Sequence, residues 1–337
     1  MGRVFCALGE MNLTPIFLTL WWVFFAGVGS GVGVLVAGDG SGDLRSLLEF
    51  KKGIEVDPLG KVLNSWNRSG ADPEKCPRGW HGVVCDESEL SVVAIVLDRL
   101  GLEGELKFNT LLGLKMLRNL SLAGNSFTGR LVPVMGSMSS LEVLDLSGNR
   151  FYGPIPARIS ELWNLNYVNL SNNNLKGGFP GGFHNLQQLK TLDLHSNEIS
   201  GDFGTLLSEF RNVEYVDLSH NKFYGGISAG KENVSSLANT VQYVNLSYND
   251  LSGGFFDDES IVLFRNLQVL DLGNNQIRGE LPSFGSLPKL QVLNLRNNQL
   301  YGSIPKGLLE SSMPLTELDL SGNGFTGKLL AALDRVI

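Results

Sequence analysis

One pattern recurs along most of this chain: a leucine-rich segment that ends in an asparagine at a fixed place. It is clearest over residues 141–156, LEVLDLSGNRFYGPIP. With a degenerate first copy at 92–104 there are ten copies, and the asparagines recur every 23 to 28 residues. A unit this short cannot cover its own apolar face, so the pattern predicts a solenoid of stacked coils. The asparagines are Asn125, Asn149, Asn173, Asn197, Asn221, Asn249, Asn275, Asn298 and Asn323.

Each copy opens with a short strand. Alternation along a strand turns Leu144 and Leu146 inward and Asp145 outward. The asparagine also faces inward, and it can stay there only if its amide bonds main-chain groups, because an unpaired buried polar group costs about 1–3 kcal/mol. This period also argues against a β-propeller, because each propeller blade needs about 40 residues. The predicted fold is therefore an α/β leucine-rich-repeat solenoid, a right-handed superhelix or horseshoe whose parallel sheet lines the concave face.

A helical cap is predicted before the first coil. In residues 43–54, leucines share one helical face, and the turn 57–60 ends the helix. Cys76 and Cys85 follow, with eight residues between them, and they suit one disulfide that staples the cap in an oxidising compartment. Two buried, unlinked thiols are the alternative.

Residues 11–38 contain no charged side chain, and their most apolar part, 16–26, is eleven residues long. That length matches the core of a signal peptide and falls short of the roughly 20 residues of a membrane span. We expect a signal peptide and cleavage region over 1–40, and hence entry to the secretory pathway and an extracellular or apoplastic location. An uncleaved N-terminal anchor is the alternative, and any other membrane association would need a segment missing from this chain.

The remaining boundaries follow from the repeats. We assign 41–90 to the cap, 91–327 to ten leucine-rich repeats, and 328–337 to a truncated repeat or a short C-terminal helix. The last segment lacks the strand that the period would place next. We interpret the chain as a truncated product, since a last coil without a cap would expose its apolar interior to solvent.

Composition narrows the functional classes. The net charge of −7 argues against nucleic acid, which would need a basic stripe. Four dispersed histidines are too few for a persuasive metal site, and no phosphate-binding loop, nucleophile elbow or kinase signature is present. We therefore predict no catalytic residues, no metal and no cofactor.

Register places candidate ligand contacts on the concave face. Tyr167, Tyr215 and Tyr243 occupy one position of their strands and would form a broken aromatic track, with His195 and Arg296 two positions beyond the outward-facing centre of theirs. Tyrosine offers contact area at low entropic cost, which suits binding. The central aspartates, such as Asp145, are interpreted instead as scaffold.

Glycosylation sequons occur at Asn67, Asn119, Asn169, Asn233 and Asn245. Asn233 lies in the longest spacing between ladder asparagines, where a bulge is expected. Asn169 and Asn245 fall on the concave face, where glycans would push binding to a flank.

Three blocks of the cap, LLEFKKG at 47–53, LNSW at 63–66 and the cysteine segment at 76–85, precede repeats of about 24 residues that end Gly-x-Ile-Pro. This arrangement, over residues 43–327, resembles the ectodomain of plant leucine-rich-repeat receptor-like kinases. The cysteine spacing is slightly longer than usual for that family, and a C-terminal cysteine pair, membrane helix and kinase motifs do not appear.

The resemblance implies a receptor that recognises a peptide or protein ligand, a co-receptor ectodomain, or both, while the kinase or pseudokinase lies in another part of the protein. Two alternatives stay open. One is a secreted inhibitor of a microbial cell-wall hydrolase, which resembles this chain in its array but carries extra cysteines at both ends. The other is a kinase-less decoy receptor.

Overall fold

The computed structural model describes residues 40–69, 71–72, 75–227, 237–284, 287–309 and 313–326. The predicted signal segment up to residue 39, the sequon asparagine Asn233 and the C-terminal segment 328–337 lie outside the described residues.

The cap is built from two helices, α1 (Gly40–Lys51) and α2 (Lys61–Ser65). The Lys51 ammonium ties them together by donating to the carbonyl oxygens of Leu63 and Trp66, at 2.7 and 2.6 Å. The Trp66 ring is fully buried and stacks on Trp80 with 5.6 Å between ring centroids. These aromatic rings fill the space between the helices and the first coil.

A disulfide joins Cys76 to Cys85, as predicted, and holds the cap at the start of the sheet. Cys85 ends strand β1, which pairs antiparallel with β2. Every later strand of that sheet runs parallel to its neighbour, so this antiparallel pair marks the junction between the cap and the array. The cap also pairs with the first coil through the antiparallel bridge between Val56 and Glu103.

Among the described residues, eleven strands form one long sheet, a strand from each coil plus the cap strand. The strands pair in constant register; Tyr215, for example, pairs with both Thr191 and Tyr243. The strands are β1 (Val83–Cys85), β2 (Val92–Val96), β4 (Asn119–Ser121), β6 (Val143–Asp145), β8 (Tyr167–Asn169), β10 (Thr191–Asp193), β12 (Tyr215–Asp217), β14 (Tyr243–Asn245), β16 (Val269–Asp271), β18 (Val292–Asn294) and β20 (Glu317–Asp319).

The return path of each coil contains a second strand, which the repeat pattern did not predict. Gly153, at φ +83°, closes one of these strands in a conformation that favours glycine. Within the described residues they form sheets of seven and three strands. The seven are β3 (Glu103–Glu105), β5 (Ser126–Arg130), β7 (Arg150–Gly153), β9 (Asn174–Gly178), β11 (Glu198–Asp202), β13 (Lys222–Gly226) and β15 (Asp250–Ser252), and the three are β17 (Arg278–Glu280), β19 (Gln299–Ser303) and β21 (Gly324–Thr326).

Short helices complete the coils and cover the side of the core away from both sheets. Of those that lie wholly within the described residues, two are α-helical, α3 (Phe203–Leu206) and α4 (Asp258–Ile261), each capped by an aspartate side chain that accepts a main-chain N–H. The others are 3₁₀ turns at Phe108–Gly113, Pro133–Ser137, Ala157–Glu161, Phe183–Asn185, Leu207–Glu209 and Lys306–Leu309.

The core runs unbroken from coil to coil. Leu144 and Leu146 enter it from the long sheet and Phe151 enters from the second sheet, and all three are fully buried. Each such side chain contributes roughly 1.5–3 kcal/mol relative to an exposed one. The coils therefore stabilise one another, as the repeat pattern implied.

The asparagine ladder joins each coil to the one before it. In Asn221, Nδ2 donates to Leu194 O of the preceding coil at 2.9 Å and also to Leu218 O and Ser219 O of its own coil, while Oδ1 accepts from the Ile199 N–H at 3.0 Å. The same pattern of four partners recurs from Asn149 to Asn323.

We expect Asn221→Ala to lower the free energy of unfolding by at least about 2–3 kcal/mol, because it leaves several buried main-chain groups without partners. Asn174→Ala, at an exposed position, is the matched control and should change little. Urea unfolding followed by circular dichroism measures both. Equal midpoints for the two variants would show that the ladder does not carry the coil stacking.

The Cys76→Ser, Cys85→Ser double variant should lose about 2–3 kcal/mol of cap stability, since the disulfide closes a short loop and restricts the unfolded chain. Limited proteolysis should then cut within residues 76–90 before the coils unfold. Reduction of the unaltered protein is the control and should reproduce this cleavage. Resistance of the double variant equal to that of the oxidised protein would contradict the stapling role.

Candidate binding face

The solvent-facing side of the long sheet, called the front face below, carries the predicted ligand contacts. From β6 to β20 its central row consists of aspartates and asparagines that accept a hydrogen bond from the main-chain N–H two residues further on. Asp145 Oδ1, for example, accepts from the N–H and the hydroxyl of Ser147, at 3.0 and 2.6 Å. Asn169 makes the same pair of bonds to Ser171. The row thus shapes the turn at the end of each strand.

Two of the three predicted tyrosines form a stacked pair. Tyr215 and Tyr243 are direct register partners on β12 and β14, and their rings lie nearly parallel with centroids 4.3 Å apart. Both side chains are half-buried. Burial, and then the negative charge of Asp217, raises the pKa of Tyr243 to about 12, so its hydroxyl stays protonated as a hydrogen-bond donor.

Tyr167 is the third predicted tyrosine, and it stands apart from the pair. Its register partner on the next strand is Thr191, which in turn pairs with Tyr215. The Tyr167 hydroxyl accepts from Asn169 Nδ2 at 3.3 Å. Burial raises the pKa of Tyr167, and the charge of the neighbouring Asp145 raises it further. The track is broken at Thr191, as the sequence predicted.

The carboxylates of this region are less accessible than predicted. Alternation along the strands predicts outward side chains at the central position, as it did for Asp145, but Asp193 and Asp217 at that position are only 5% and 6% exposed. The cause is local: Asp193 Oδ1 accepts from the main-chain N–H and Nδ1 of His195, at 3.1 and 2.7 Å, and Asp217 Oδ1 accepts from Ser219. Each carboxylate is covered by the turn that it holds.

This burial shifts the acid–base behaviour of the group. Burial raises the pKa of Asp217, and the nearby charge of Asp193 raises it further. Burial alone would lower the pKa of His195, but its hydrogen bond to Asp193 and the charges of Asp193 and Asp217 outweigh that effect and raise it. The centre of the front face therefore holds unfavourably placed negative charge.

The sequence analysis predicted no metal site, yet the structure brings three ligand-type side chains together. One ligand atom each of Asp193, His195 and Asp217 lie within 4.8 Å of one another. His195 Nδ1 is, however, hydrogen-bonded to Asp193, and its Nε2 lies 2.8 Å from Asn172 Nδ2. Both nitrogens of the His195 ring are thus hydrogen-bonded, and the three side chains form a hydrogen-bonded cluster.

A second aromatic stack was missed by the sequence analysis. His220 and Tyr248 lie on the same two coils as the stacked tyrosines, and their ring centroids are 4.1 Å apart. Both residues immediately precede a ladder asparagine and have positive φ, +52° and +54°. Glycine or asparagine occupies that position in several other coils, such as Gly148. A bulky residue at this position was therefore the sequence feature from which the stack could have been predicted.

Arg296, the remaining predicted contact, lies exposed near the end of β18, where its N–H donates to Asn294 Oδ1. A side chain at Gly273 on the preceding coil would meet Arg296 Cγ at 3.0 Å, so the arginine stem crosses this glycine. Arg296 is separated from the stacked tyrosines by strand β16.

The sequon asparagines differ in accessibility. Asn67 is exposed in the cap. Asn169 and Asn245 are half-buried on the front face, and the Asn245 amide donates to Asp217 Oδ2 at 3.2 Å. The amide oxygen of Asn119 is buried and accepts no hydrogen bond from a described residue.

A search of the described residues finds no helix with the length and hydrophobicity that crossing a bilayer requires.

The sequence matches the leucine rich repeat N-terminal domain over residues 41–86. It matches leucine rich repeats over residues 140–162, 163–223, 265–309 and 314–335. It is 65% identical over 289 residues to an Arabidopsis thaliana protein named "Probable inactive receptor kinase", which covers 85% of this chain and 28% of that relative. The chain therefore spans less than a third of this relative's length.

Solved structures show the same architecture. The ectodomain of the Arabidopsis thaliana receptor kinase GASSHO1/SCHENGEN3, in complex with CASPARIAN STRIP INTEGRITY FACTOR 2, superposes with a TM-score of 0.75 at 30% identity, over 86% of this chain and 34% of that one. The plant peptide hormone receptor RGFR1, in complex with RGF2, superposes with a TM-score of 0.62 at 27% identity, over 69% of this chain and 36% of that one. The capped stack of asparagine-linked coils and these matches together lead to one conclusion: the chain belongs to the leucine-rich-repeat proteins, of the type that forms the ectodomains of plant receptor kinases.

Proposed function

We propose that this chain is the extracellular recognition module of a receptor kinase and binds an extended peptide across the front face, without chemistry of its own. The observation that carries the proposal is the stacked pair Tyr215–Tyr243, held in register on the outward side of the sheet. A preformed aromatic surface loses little conformational entropy on binding, which is why tyrosine is common in binding hot spots.

The neighbouring residues support this choice of face. His220 and Tyr248 present a second stacked pair on the same two coils, in a backbone conformation that bulky residues rarely adopt. Such conformations cost of order 1–3 kcal/mol each and often mark binding sites. The buried carboxylate of Asp217, whose pKa is raised by burial, adds a second destabilising feature beside them. A surface that retains several destabilising features favours a role in binding, because such features are otherwise lost without harm to function.

The relatives support the receptor interpretation over the inhibitor interpretation. The protein with 65% identity is named a receptor kinase, and two structural neighbours are receptors bound to the factors named in their descriptions. We propose that the present chain recognises its ligand in the same way. It would then lie outside the cell, and a co-receptor ectodomain would be its further partner. A kinase-less decoy receptor would bind its ligand through the same face, so a peptide-binding experiment applies equally to a receptor and to a decoy.

The purified chain should bind members of a synthetic bead-bound library of random twelve-residue peptides. We expect Tyr215→Ala, Tyr243→Ala to weaken the selected peptides at least tenfold, because the double variant removes the aromatic platform. Isothermal titration calorimetry measures the affinities.

Tyr224→Ala is the matched control, since Tyr224 is an exposed tyrosine of the same coil as Tyr215 but lies on β13 of the second sheet. It should leave the affinities unchanged. Thermal unfolding of each variant separates loss of binding from loss of folding. The proposal fails if no peptide binds, or if folded double variant and control bind equally well.

We further predict that Asp217→Asn stabilises the protein at neutral pH. Because the pKa of Asp217 is raised on folding, the native state binds more protons above the ordinary aspartate pKa of about 4, and stability falls as pH rises through that window. Asparagine removes the charge and keeps the turn, as Asn169 and Asn245 do. We expect the thermal midpoint to rise by about 2–4 °C at pH 7.

This gain in thermal midpoint should disappear near pH 3, where Asp217 is protonated in both the folded and the unfolded protein. Asp319→Asn changes the same turn position at a less buried site and is the control. A lower midpoint for Asp217→Asn at pH 7 would show that the carboxylate stabilises the fold, contrary to this assignment.

A further inference from the structure

We propose that the seven-stranded sheet carries a docking surface for an acidic segment of a protein partner. This surface, called the basic patch below, consists of Arg130 on β5, Arg150 and Tyr152 on β7, and Lys176 on β9. It lies on the strands that follow the ladder asparagines, and so in a different sheet from the stacked tyrosines of the front face. The inference goes beyond the proposed function and does not depend on it.

Positive charge is concentrated at the basic patch although the whole chain has a net charge of −7. The neighbouring strands β5, β7 and β9 each contribute one basic residue and contain no carboxylate. All three basic side chains are exposed, and none makes an ion pair or a hydrogen bond with a described residue. Carboxylates occur on the flanking strands, Glu105 on β3 and Glu198 on β11, and Glu198 is already paired with Lys222 at 2.7 Å. The patch therefore complements an anionic partner.

The Arg130 side chain is held in place by the next coil. Arg130 and Tyr152 are register partners, and the guanidinium carbon of Arg130 lies over the Tyr152 ring, 5.6 Å from its centroid. The arginine stem crosses Gly153, where an added Cβ would lie 3.5 Å from Arg130 Cγ and 3.7 Å from its Nε. The ring attracts the cation and so restricts its motion. A guanidinium positioned in this way loses less side-chain entropy when it binds a carboxylate.

The other two cations lie beside this pair at the spacings of the sheet. Arg150 and Tyr152 are both exposed and lie two residues apart on β7. Lys176 lies two residues beyond Asn174, the register partner of Tyr152 on β9. Arg130 and Lys176 are thus two strands apart, roughly 10 Å across the sheet. Side chains two residues apart on an extended peptide are roughly 7 Å apart, so one short acidic segment can contact several of these cations.

The patch favours carboxylates on flexible side chains over carboxylates on a sugar ring. A guanidinium binds a carboxylate through its N–H edge, often with two parallel hydrogen bonds. Aspartate and glutamate side chains can approach that edge from solvent. A polyuronate would also need an uncovered aromatic ring on which its sugars could stack, and Arg130 already lies over the Tyr152 ring. These features indicate an acidic peptide segment as the occupant.

The test compares two synthetic peptides, one of alternating glutamate and serine and one of alternating glutamine and serine. Microscale thermophoresis at low ionic strength should show that the purified chain binds the glutamate peptide about tenfold more tightly. The Arg130→Gln, Arg150→Gln double variant should weaken binding of the glutamate peptide about tenfold, because it removes two of the three cations. Tyr152→Leu keeps every charge and should weaken it about threefold, because it removes the ring beneath Arg130.

Two further variants are the controls. Arg278→Gln, Lys306→Gln also removes two exposed cations, but from outside the basic patch, and it should leave the affinity for the glutamate peptide unchanged. The Tyr215→Ala, Tyr243→Ala variant of the front face should bind this peptide as the unaltered chain does. Thermal unfolding of each variant establishes that it is folded.

The outcomes separate this inference from the proposed function. Equal binding of the glutamate and glutamine peptides would overturn the basic patch, as would an equal loss in the two double variants that remove cations. Loss of binding in the folded Tyr215→Ala, Tyr243→Ala variant would place the acidic peptide on the front face and also overturn it. Binding of a polyuronate oligomer in place of the glutamate peptide would exclude a protein partner. None of these results bears on whether the front face binds its own peptide.

Discussion

The amide of the ladder asparagine is the group on which the structure depends. Asn221 satisfies main-chain groups of its own coil and of the preceding coil at once, so it fixes the spacing and the register of the two. Hydrophobic burial supplies more free energy, but burial alone is non-directional and would let coils slide. The hydrogen bonds are directional, and an unmade one is costly. Constant register along the long sheet follows from this repeated contact.

Fixed register has a consequence for the opposite side of the sheet. Residues 28 positions apart, such as Tyr215 and Tyr243, become direct neighbours, and their rings stack without any further element to hold them. A local choice of side chain in each coil thus becomes a continuous surface. The same register places a small Thr191 between two tyrosines and two carboxylates on adjacent strands. The inward residues are constrained by stacking, so variation in recognition is concentrated in the outward ones.

The sequence predicted what the period controls and missed what neighbouring coils control. Inward leucines, the ladder and the cap disulfide follow from spacing, because each coil repeats the same geometry. The second strand after each asparagine was not predicted, since its pairing depends on the adjacent coil and its sequence resembles a glycine-rich turn. Burial of Asp193 depends on the rotamer of His195, which spacing does not specify. The His220–Tyr248 stack needed knowledge that their positions take positive φ.

Several unfavourable features meet on one face of this protein. Asp217, whose pKa is raised by burial, and two aromatic residues with positive φ, His220 and Tyr248, lie on the coils of β12 and β14. The sheets formed by the second strands carry exposed aromatic residues too, Tyr224 in the seven-stranded sheet and Tyr301 in the three-stranded sheet, but neither has a positive φ. Exposure alone would not distinguish the two surfaces. The free-energy cost does, because a stable stack of coils can retain unfavourable groups where a ligand relieves them, whereas an idle surface has no reason to keep them.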